Sequence, residues 1–189
     1  MQHSEAPWKE LARAKRELDA LKAADDIRVR LDHWIEFLRA IERLWNKAEA
    51  AFSRSPKWQP WQGKYVRLRR TDGLLCYMAQ ARNMEEHSDE PSAVALPGSM
   101  SIGRGGGEVF IEKLVIDGQG KVAEYRGSHP IEVTPPRIST RAVDNRGVQI
   151  NPPTSHLGHP IASDVTSMAD AGFAFYKAFL EAAEAKFVT

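Results

Sequence analysis

The strongest constraint on the fold is an apolar stripe between residues 27 and 52. Its members recur at steps of three or four residues, which places them on one side of an α-helix. They are Ile27, Leu31, Trp34, Ile35, Leu38, Ile41, Trp45, Ala48 and Phe52. About 26 helical residues span about 39 Å at 1.5 Å per residue, the length of a helix in a bundle. The stripe therefore predicts a helical bundle.

Three more segments have the pattern of amphipathic helices. The first covers residues 8–24, with leucines interspersed among alanines. Another helix is predicted after Asp72, whose side chain can cap its first turn. The last is capped by Ser163 or Asp164 and extends to about residue 187. Together with the long helix they predict a four-helix bundle.

The composition changes between the third and last of these helices. Residues 91–107 are rich in Pro, Gly and Ser, which predicts a loop. Several short β-patterned segments follow, including a hairpin around the turn 117–120. The predicted fold is thus mainly α, and α+β overall. Residues 1–90 and 163–189 form the bundle, and residues 91–162 form a loop with a small antiparallel β insertion.

The charge balance limits what kind of partner the chain can attract. Of 189 residues, 42% are hydrophobic and 27% are charged, and the net charge is only +1. These values are typical of a soluble globular protein. Because the overall charge does not favour nucleic acid, any such binding requires a local basic patch.

Cysteine usage and the lack of long apolar runs predict where the protein works. Cys76 is the only cysteine, so no intramolecular disulfide can form, which fits a reducing compartment. Residues 1–10 lack the apolar core of a signal peptide, and no apolar run is long enough to span a membrane. We therefore expect a cytoplasmic protein without membrane contact.

A segment rich in aromatic and basic residues separates the second and third predicted helices, and it is predicted to be a linker. Its functional interpretation is a nucleic-acid contact, with cations on phosphates and aromatic rings on bases. The alternative is that the tryptophans anchor the connection on the bundle while the cations are solvated. The candidate nucleic-acid-binding residues are Lys57, Trp58, Trp61, Lys64, Tyr65, Arg67, Arg69 and Arg70.

The third predicted helix carries Arg82 and His87 with four residues between them, and Asn83 directly follows the arginine. A fixed cation and a group that exchanges protons near neutral pH can cleave a phosphodiester without a metal. The spacing alone is not specific, because Arg28 and His33 repeat it. On a helical wheel, Arg82 and His87 lie about 140° apart.

The Arg-Asn pair, the histidine and the preceding helices resemble the HEPN superfamily of helical bundles, over roughly residues 8–90 and 163–187. The resemblance implies a metal-independent endoribonuclease that acts as a homodimer, with no cofactor or metal ion. His87 would act as general acid or base, Arg82 would stabilise the transition state, and Asn83 would contact phosphate or the partner helix. It also implies a role in phage defence or beside an antitoxin. Typical compact HEPN domains lack a β insertion.

Other interpretations remain open. A non-catalytic HEPN-like dimer could bind RNA, a nucleotide or a protein partner, and a purely structural protein is a further alternative. Arg82 could form an ordinary helix ion pair with Glu85 or Glu86. A metal cluster of His129, His156 and His159 is disfavoured, because there is no nearby cysteine and no convincing carboxylate partner, and histidines in surface loops are the commoner explanation.

Overall fold

A computed structural model of the protein describes residues 5–87, 90–103, 108–145 and 147–188. The chain divides into two compact units, Met1–Ala95 with Ile138–Thr189, and Leu96–Arg137. All the helices described belong to the first unit. The predicted insertion, residues 91–162, includes more residues than the second unit, because the chain from residue 138 onward belongs to the helical unit.

The described part of the chain contains five α-helices, one more than predicted. They are α1 (Glu5–Ala23), α2 (Ile27–Phe52), α3 (Trp58–Thr71), α4 (Gly73–His87) and α5 (Val165–Phe187). Helix α1 packs on α2 and α5, and α4 contacts α2, α3 and α5. None of the described helices has the length and hydrophobicity needed to cross a membrane.

The apolar stripe predicted from the sequence forms the centre of the bundle. Trp34, Leu38, Ile41 and Trp45 of α2 are buried. The helix begins after Asp26, whose side chain accepts hydrogen bonds from the backbone N–H groups of residues 28 and 29 at 2.7 and 3.3 Å. The cap satisfies two N–H groups that the first turn leaves without helical partners. The helix is therefore as predicted, and most of its stripe is buried, but Ile27, Leu31 and Ile35 are only partly buried.

Helix α3 corrects the prediction of a linker between the second and third helices. Trp58 is fully buried, and its ring centroid lies 5.3 Å from that of Phe52 and 5.4 Å from that of Phe187. Trp61 and Tyr65 follow at helical spacing and pack against the same core. Pro60 is tolerated because it lies in the first turn, where a backbone N–H has no helical partner.

The caps of α4 and α5 are as predicted. Asp72 accepts a hydrogen bond from the backbone N–H of Leu75 at 3.1 Å. Asp164 accepts two, from the backbone N–H groups of Thr166 and Ser167 at 3.0 and 2.9 Å. Both helices thus begin where a short acidic side chain replaces missing helical hydrogen bonds.

The strands form five separate two-stranded pairs, which corrects the prediction of one small sheet. The pairs are β1 with β6, β2 with β5, β3 with β4, β7 with β8 and β9 with β10. Their bounds are β1 (Ala93–Leu96), β2 (Ser99–Ile102), β3 (Ile111–Ile116), β4 (Val122–Gly127), β5 (Ile131–Thr134), β6 (Arg137–Thr140), β7 (Val143–Asn145), β8 (Val148–Ile150), β9 (Ser155–His156) and β10 (His159–Pro160). Strands β1 and β2 lie in the predicted loop, of which residues 104–107 are outside the described residues.

The second unit contains the predicted hairpin. Strands β3 and β4 pair antiparallel, and the Asp117 side chain accepts hydrogen bonds from the backbone N–H groups of Gln119 and Lys121, each at 2.8 Å. An Asx turn of this kind closes a tight connection.

Ser92 and Arg141, which lie just outside strands of the helical unit, contact α4 through hydrogen bonds. The Tyr77 hydroxyl donates to the backbone carbonyls of Arg141 and Ser92, at 2.8 and 3.2 Å. Burial raises the pKa of Tyr77, so the phenol stays a donor. Glu85 accepts hydrogen bonds from the backbone N–H and the hydroxyl of Ser92 at 2.7 and 2.6 Å. Helix α4 is therefore held along most of its length.

Candidate functional site

The predicted catalytic arginine is engaged by residues of its own helix. The Arg82 Nη2 atom lies 2.7 Å from Glu86 Oε2, and Nη1 donates to Asn83 Oδ1 at 3.2 Å. The other Glu86 oxygen, Oε1, lies 3.9 Å from Arg39 Nε on α2. This is the helix ion pair that the sequence offered as an alternative to catalysis. The Arg82 Nε atom is enclosed and has no hydrogen-bonding partner among the described residues.

His87 is the last residue of α4, and it is exposed. No hydrogen bond or ion pair joins it to Arg82 in the part of the chain that is described. The structure therefore brings Arg82 to Asn83 and Glu86 rather than to His87.

The cations of α3 form a face that points away from the bundle core. From Lys57 to Thr71 there are five basic residues and no acidic one. At 100° per residue, Lys57, Lys64, Arg67 and Arg70 fall within about 140°, opposite the buried side of the helix. All four residues are exposed, and none has an acidic partner among the residues described. We call these four residues the basic face.

Aromatic residues of α3 lie on the side of that helix that faces the core, next to the basic face. Because Trp58 is fully buried, its predicted role as a stacking platform is wrong: the ring cannot reach a base without leaving the core. Trp61 and Tyr65 are partly buried, with ring centroids 4.9 Å apart. The Lys64 Nζ atom lies 4.7 Å from the Tyr65 ring centroid and 5.8 Å from that of Trp61. These rings therefore anchor α3, as the alternative interpretation predicted.

Arg69 differs from the other cations of α3. Its side chain is 12% exposed and forms an ion pair with Glu42. The Arg69 guanidinium carbon lies 4.4 Å from the centroid of the Trp45 ring, a cation–π contact. Arg69 thus joins α3 to α2, and its charge is already neutralised. The prediction that it contacts nucleic acid is not supported by this environment.

A cleft of about 510 Å³ opens between α2, α3 and α4, beside the basic face. Four side-chain amides line it, together with two acidic and two basic groups and a small apolar surface. The lining residues are Glu42, Trp45, Glu49, Gln59, Gln62, Val66, Arg69, Arg70, Ala79, Gln80 and Asn83. The cleft therefore connects Asn83 of the predicted motif with Arg70 of the basic face. Only Arg69, Arg70 and Asn83 among its residues were candidates from the sequence.

Gln62 is the unusual member of this cleft. The residue is 2% exposed, yet its side-chain amide has no hydrogen-bonding partner among the described residues. Its amide atoms are not enclosed, because they are not among the buried side-chain atoms that lack a partner, so the amide faces the cleft. No sequence signal distinguished Gln62, because an isolated glutamine in a polar segment is ordinary.

A second polar cluster joins the start of α4 to the β9–β10 pair. The His156 Nδ1 atom lies 2.9 Å from Asp72 Oδ1, and the backbone N–H of Leu157 donates to Asp72 Oδ2 at 2.7 Å. Both side chains are nearly buried, which corrects the prediction that His156 is a surface-loop histidine. Burial raises the pKa of Asp72, but hydrogen bonds from Leu157, His156 and Leu75 outweigh it, so this pKa lies below the usual value. The described residues contain no group of three or more His, Cys, Asp or Glu side chains placed to hold a metal ion.

Comparisons with protein-family models, curated proteins and solved structures found no match for this chain. The HEPN resemblance therefore stays a prediction that depends on the residues quoted for it.

Proposed function

We propose that this chain is a HEPN-like helical protein that binds RNA through the basic face of α3. One observation supports the proposal above the others: four exposed cations share one side of a helix that has no acidic residue. Elsewhere the chain balances its charges, since the net charge is only +1. Cations without acidic partners can exchange their counterions for phosphates, which is the main source of RNA affinity that does not depend on sequence.

Salt dependence of binding tests the basic face directly. The affinity for a labelled single-stranded RNA would be measured by fluorescence anisotropy at several KCl concentrations. Four phosphate contacts predict a slope of about −2.8 for log affinity against log salt, since each contributes about −0.7. The double variant Arg67→Ala/Arg70→Ala should lose about 1.4 of that slope.

The matched control removes two exposed arginines from other helices. Arg16 and Arg28 lie on α1 and α2, and neither has an acidic partner among the described residues. Arg16→Ala/Arg28→Ala lowers the net charge equally, so it should leave the slope close to that of the wild type. Equal loss of slope in both double variants would show that only total charge matters, and would refute the proposal.

A second candidate function is metal-independent endoribonuclease activity in a homodimer. Asn83 lines the cleft beside the basic face, and His87 is exposed at the end of the same helix. RNA bound on α3 would thus reach the helix that carries the motif. Because no direct contact joins Arg82 and His87 within the described chain, this candidate depends on a partner chain that completes the site.

Cleavage in EDTA separates the two functions. Wild type, His87→Ala and the decoy His33→Ala would be incubated with labelled structured and single-stranded RNA. His33 belongs to the second Arg-x4-His match, and its Nδ1 atom lies 2.9 Å from Glu17 Oε2. Cleavage lost only in His87→Ala, by a protein that is dimeric in light scattering, would establish the enzyme. Equal cleavage by all three, or none by any, would exclude His87 catalysis.

A further inference from the structure

The cleft between α2, α3 and α4 combines a buried, unpartnered amide with open space. Gln62 is almost fully buried as a residue, but it lines the cleft. Its amide nitrogen and oxygen are not among the fully buried side-chain atoms of the described residues that lack a hydrogen-bonding partner. The amide is thus open to the cleft and offers both a donor and an acceptor there. A ligand in the cleft can therefore hydrogen-bond to this amide without competing with a partner from the described chain.

The charges of the lining residues limit the class of ligand. Glu42 and Glu49 balance Arg69 and Arg70, and Arg69 is already bound to Glu42. A phosphate group inside the cleft would therefore find no free cation except Arg70, which is exposed and also belongs to the basic face. A purely apolar ligand would leave the Gln62 amide unpaired. A neutral ring with several hydrogen-bonding groups at its edge fits best.

The other lining groups support the same class of ligand. Gln59, Gln80 and Asn83 add three amides, and amide side chains pair with base edges through one donor and one acceptor. Trp45, Val66 and Ala79 supply apolar surface for ring faces. A cleft of about 510 Å³ lies within the range of small-ligand pockets and holds a base with its sugar.

We infer that the cleft receives one unstacked nucleobase of a single-stranded RNA, with Gln62 bonded to the edge of the base. Arg70 then contacts the adjacent phosphate, which places the rest of the strand on the basic face. This inference depends on the RNA binding proposed above and names the form of RNA that binds. It requires single-stranded RNA, because the bases of a duplex are stacked and paired.

The test uses nonamers of abasic nucleotides that carry a single base, A, C, G or U, at the central position, and one fully abasic nonamer. The wild type should bind the best base about 5- to 150-fold more tightly than the abasic strand, the range for one good bidentate contact. Gln62→Met keeps the side-chain volume but removes the amide, so it should bind all five strands like the abasic one. It should retain the salt slope of the wild type, which shows that α3 is folded. Gln149→Met on β8 is the matched control and should keep the preference.

Each other outcome is decisive. If the wild type binds the abasic strand as tightly as the rest, the cleft takes no base, while a steep salt slope would still support RNA binding by the basic face. A preference that persists in Gln62→Met would refute the role of Gln62. If no strand binds at any salt concentration, both the inference and the proposed function are wrong.

Discussion

Helices α3 and α4 both carry arginines that the sequence singled out, but their surroundings differ. On α4, Arg82 is engaged by Glu86 and Asn83 of its own helix, and Glu86 also approaches Arg39 of α2. On α3, Arg67 and Arg70 are exposed, and no acidic partner lies near them in the described chain. A motif therefore places a charged group on a helix, but the neighbouring charges decide whether that group can attract a ligand.

The largest expected effect comes from removing the anchor of α3. Trp58→Ala leaves a cavity in the aromatic cluster of α3, α2 and α5, so the free energy of unfolding should fall by about 3 to 5 kcal/mol. Urea unfolding followed by circular dichroism measures the loss. Lys57→Ala, one residue earlier and exposed, should change stability by less than about 0.5 kcal/mol. Similar values for the two variants would contradict the burial of Trp58.

The next effect concerns the junction of α3 and α4. Asp72→Ala leaves the N–H groups of Leu75 and Leu157 and the His156 ring without their acceptor. We expect a loss of about 2 to 3 kcal/mol at pH 7. Asp164→Ala removes only the cap of α5 and should cost about 1 kcal/mol. Equal losses would mean that the contacts to β9 and β10 contribute nothing.

The pH dependence of the same variant gives a second measurement. The folded pKa of Asp72 is lower than the usual 3.8, so its stabilising contribution is complete above that value. As the pH falls below 3.8 and through the folded pKa, the carboxylate is protonated and the contribution is lost. Below about pH 4, the stability difference between wild type and Asp72→Ala should therefore shrink as the carboxylate is protonated. A difference that grows over this acid range would contradict the lowered pKa of Asp72.

Glu86→Gln should leave Arg82 on α4 without its acidic partner, as Arg67 and Arg70 are on α3. It removes the charge that neutralises Arg82, so the salt slope of RNA binding should steepen by about 0.7, one additional phosphate contact. Glu181→Gln is the matched control, because Glu181 pairs with Lys177 at the same helical spacing on α5. An unchanged slope in Glu86→Gln would show that Arg82 lies outside the path of the RNA.

The smallest effect is expected for the Arg82 ion pair itself. Arg82→Ala should lower the free energy of unfolding by only about 0.3 to 0.5 kcal/mol, because the pair is a helix surface interaction between partly exposed side chains. Thermal unfolding at low and high salt provides the measurement. A loss above about 2 kcal/mol would mean that the arginine has a structural role that the ion pair does not explain.

Periodicity predicted the elements whose local pattern is long or strongly marked. Helices α2 and α5, the caps at Asp72 and Asp164, and the β3–β4 hairpin can all be predicted from neighbouring residues. Helix α3 was missed because Pro60 and Gly63 resemble loop residues, although Trp58, Trp61 and Tyr65 have helical spacing. Strands β1 and β2 were missed because each has only four residues in a segment rich in Pro, Gly and Ser.

The sequence by itself determined the helical core and the place of the basic residues, because apolar spacing and charge are local properties of the chain. Only the tertiary structure decided which of those residues are free to act. It neutralised Arg69 with Glu42, buried Trp58, and paired His156 with Asp72 across 84 positions of the chain. The cleft around Gln62 likewise exists only where three helices meet. Burial and pairing depend on which distant residues become neighbours, and no local pattern carries that information.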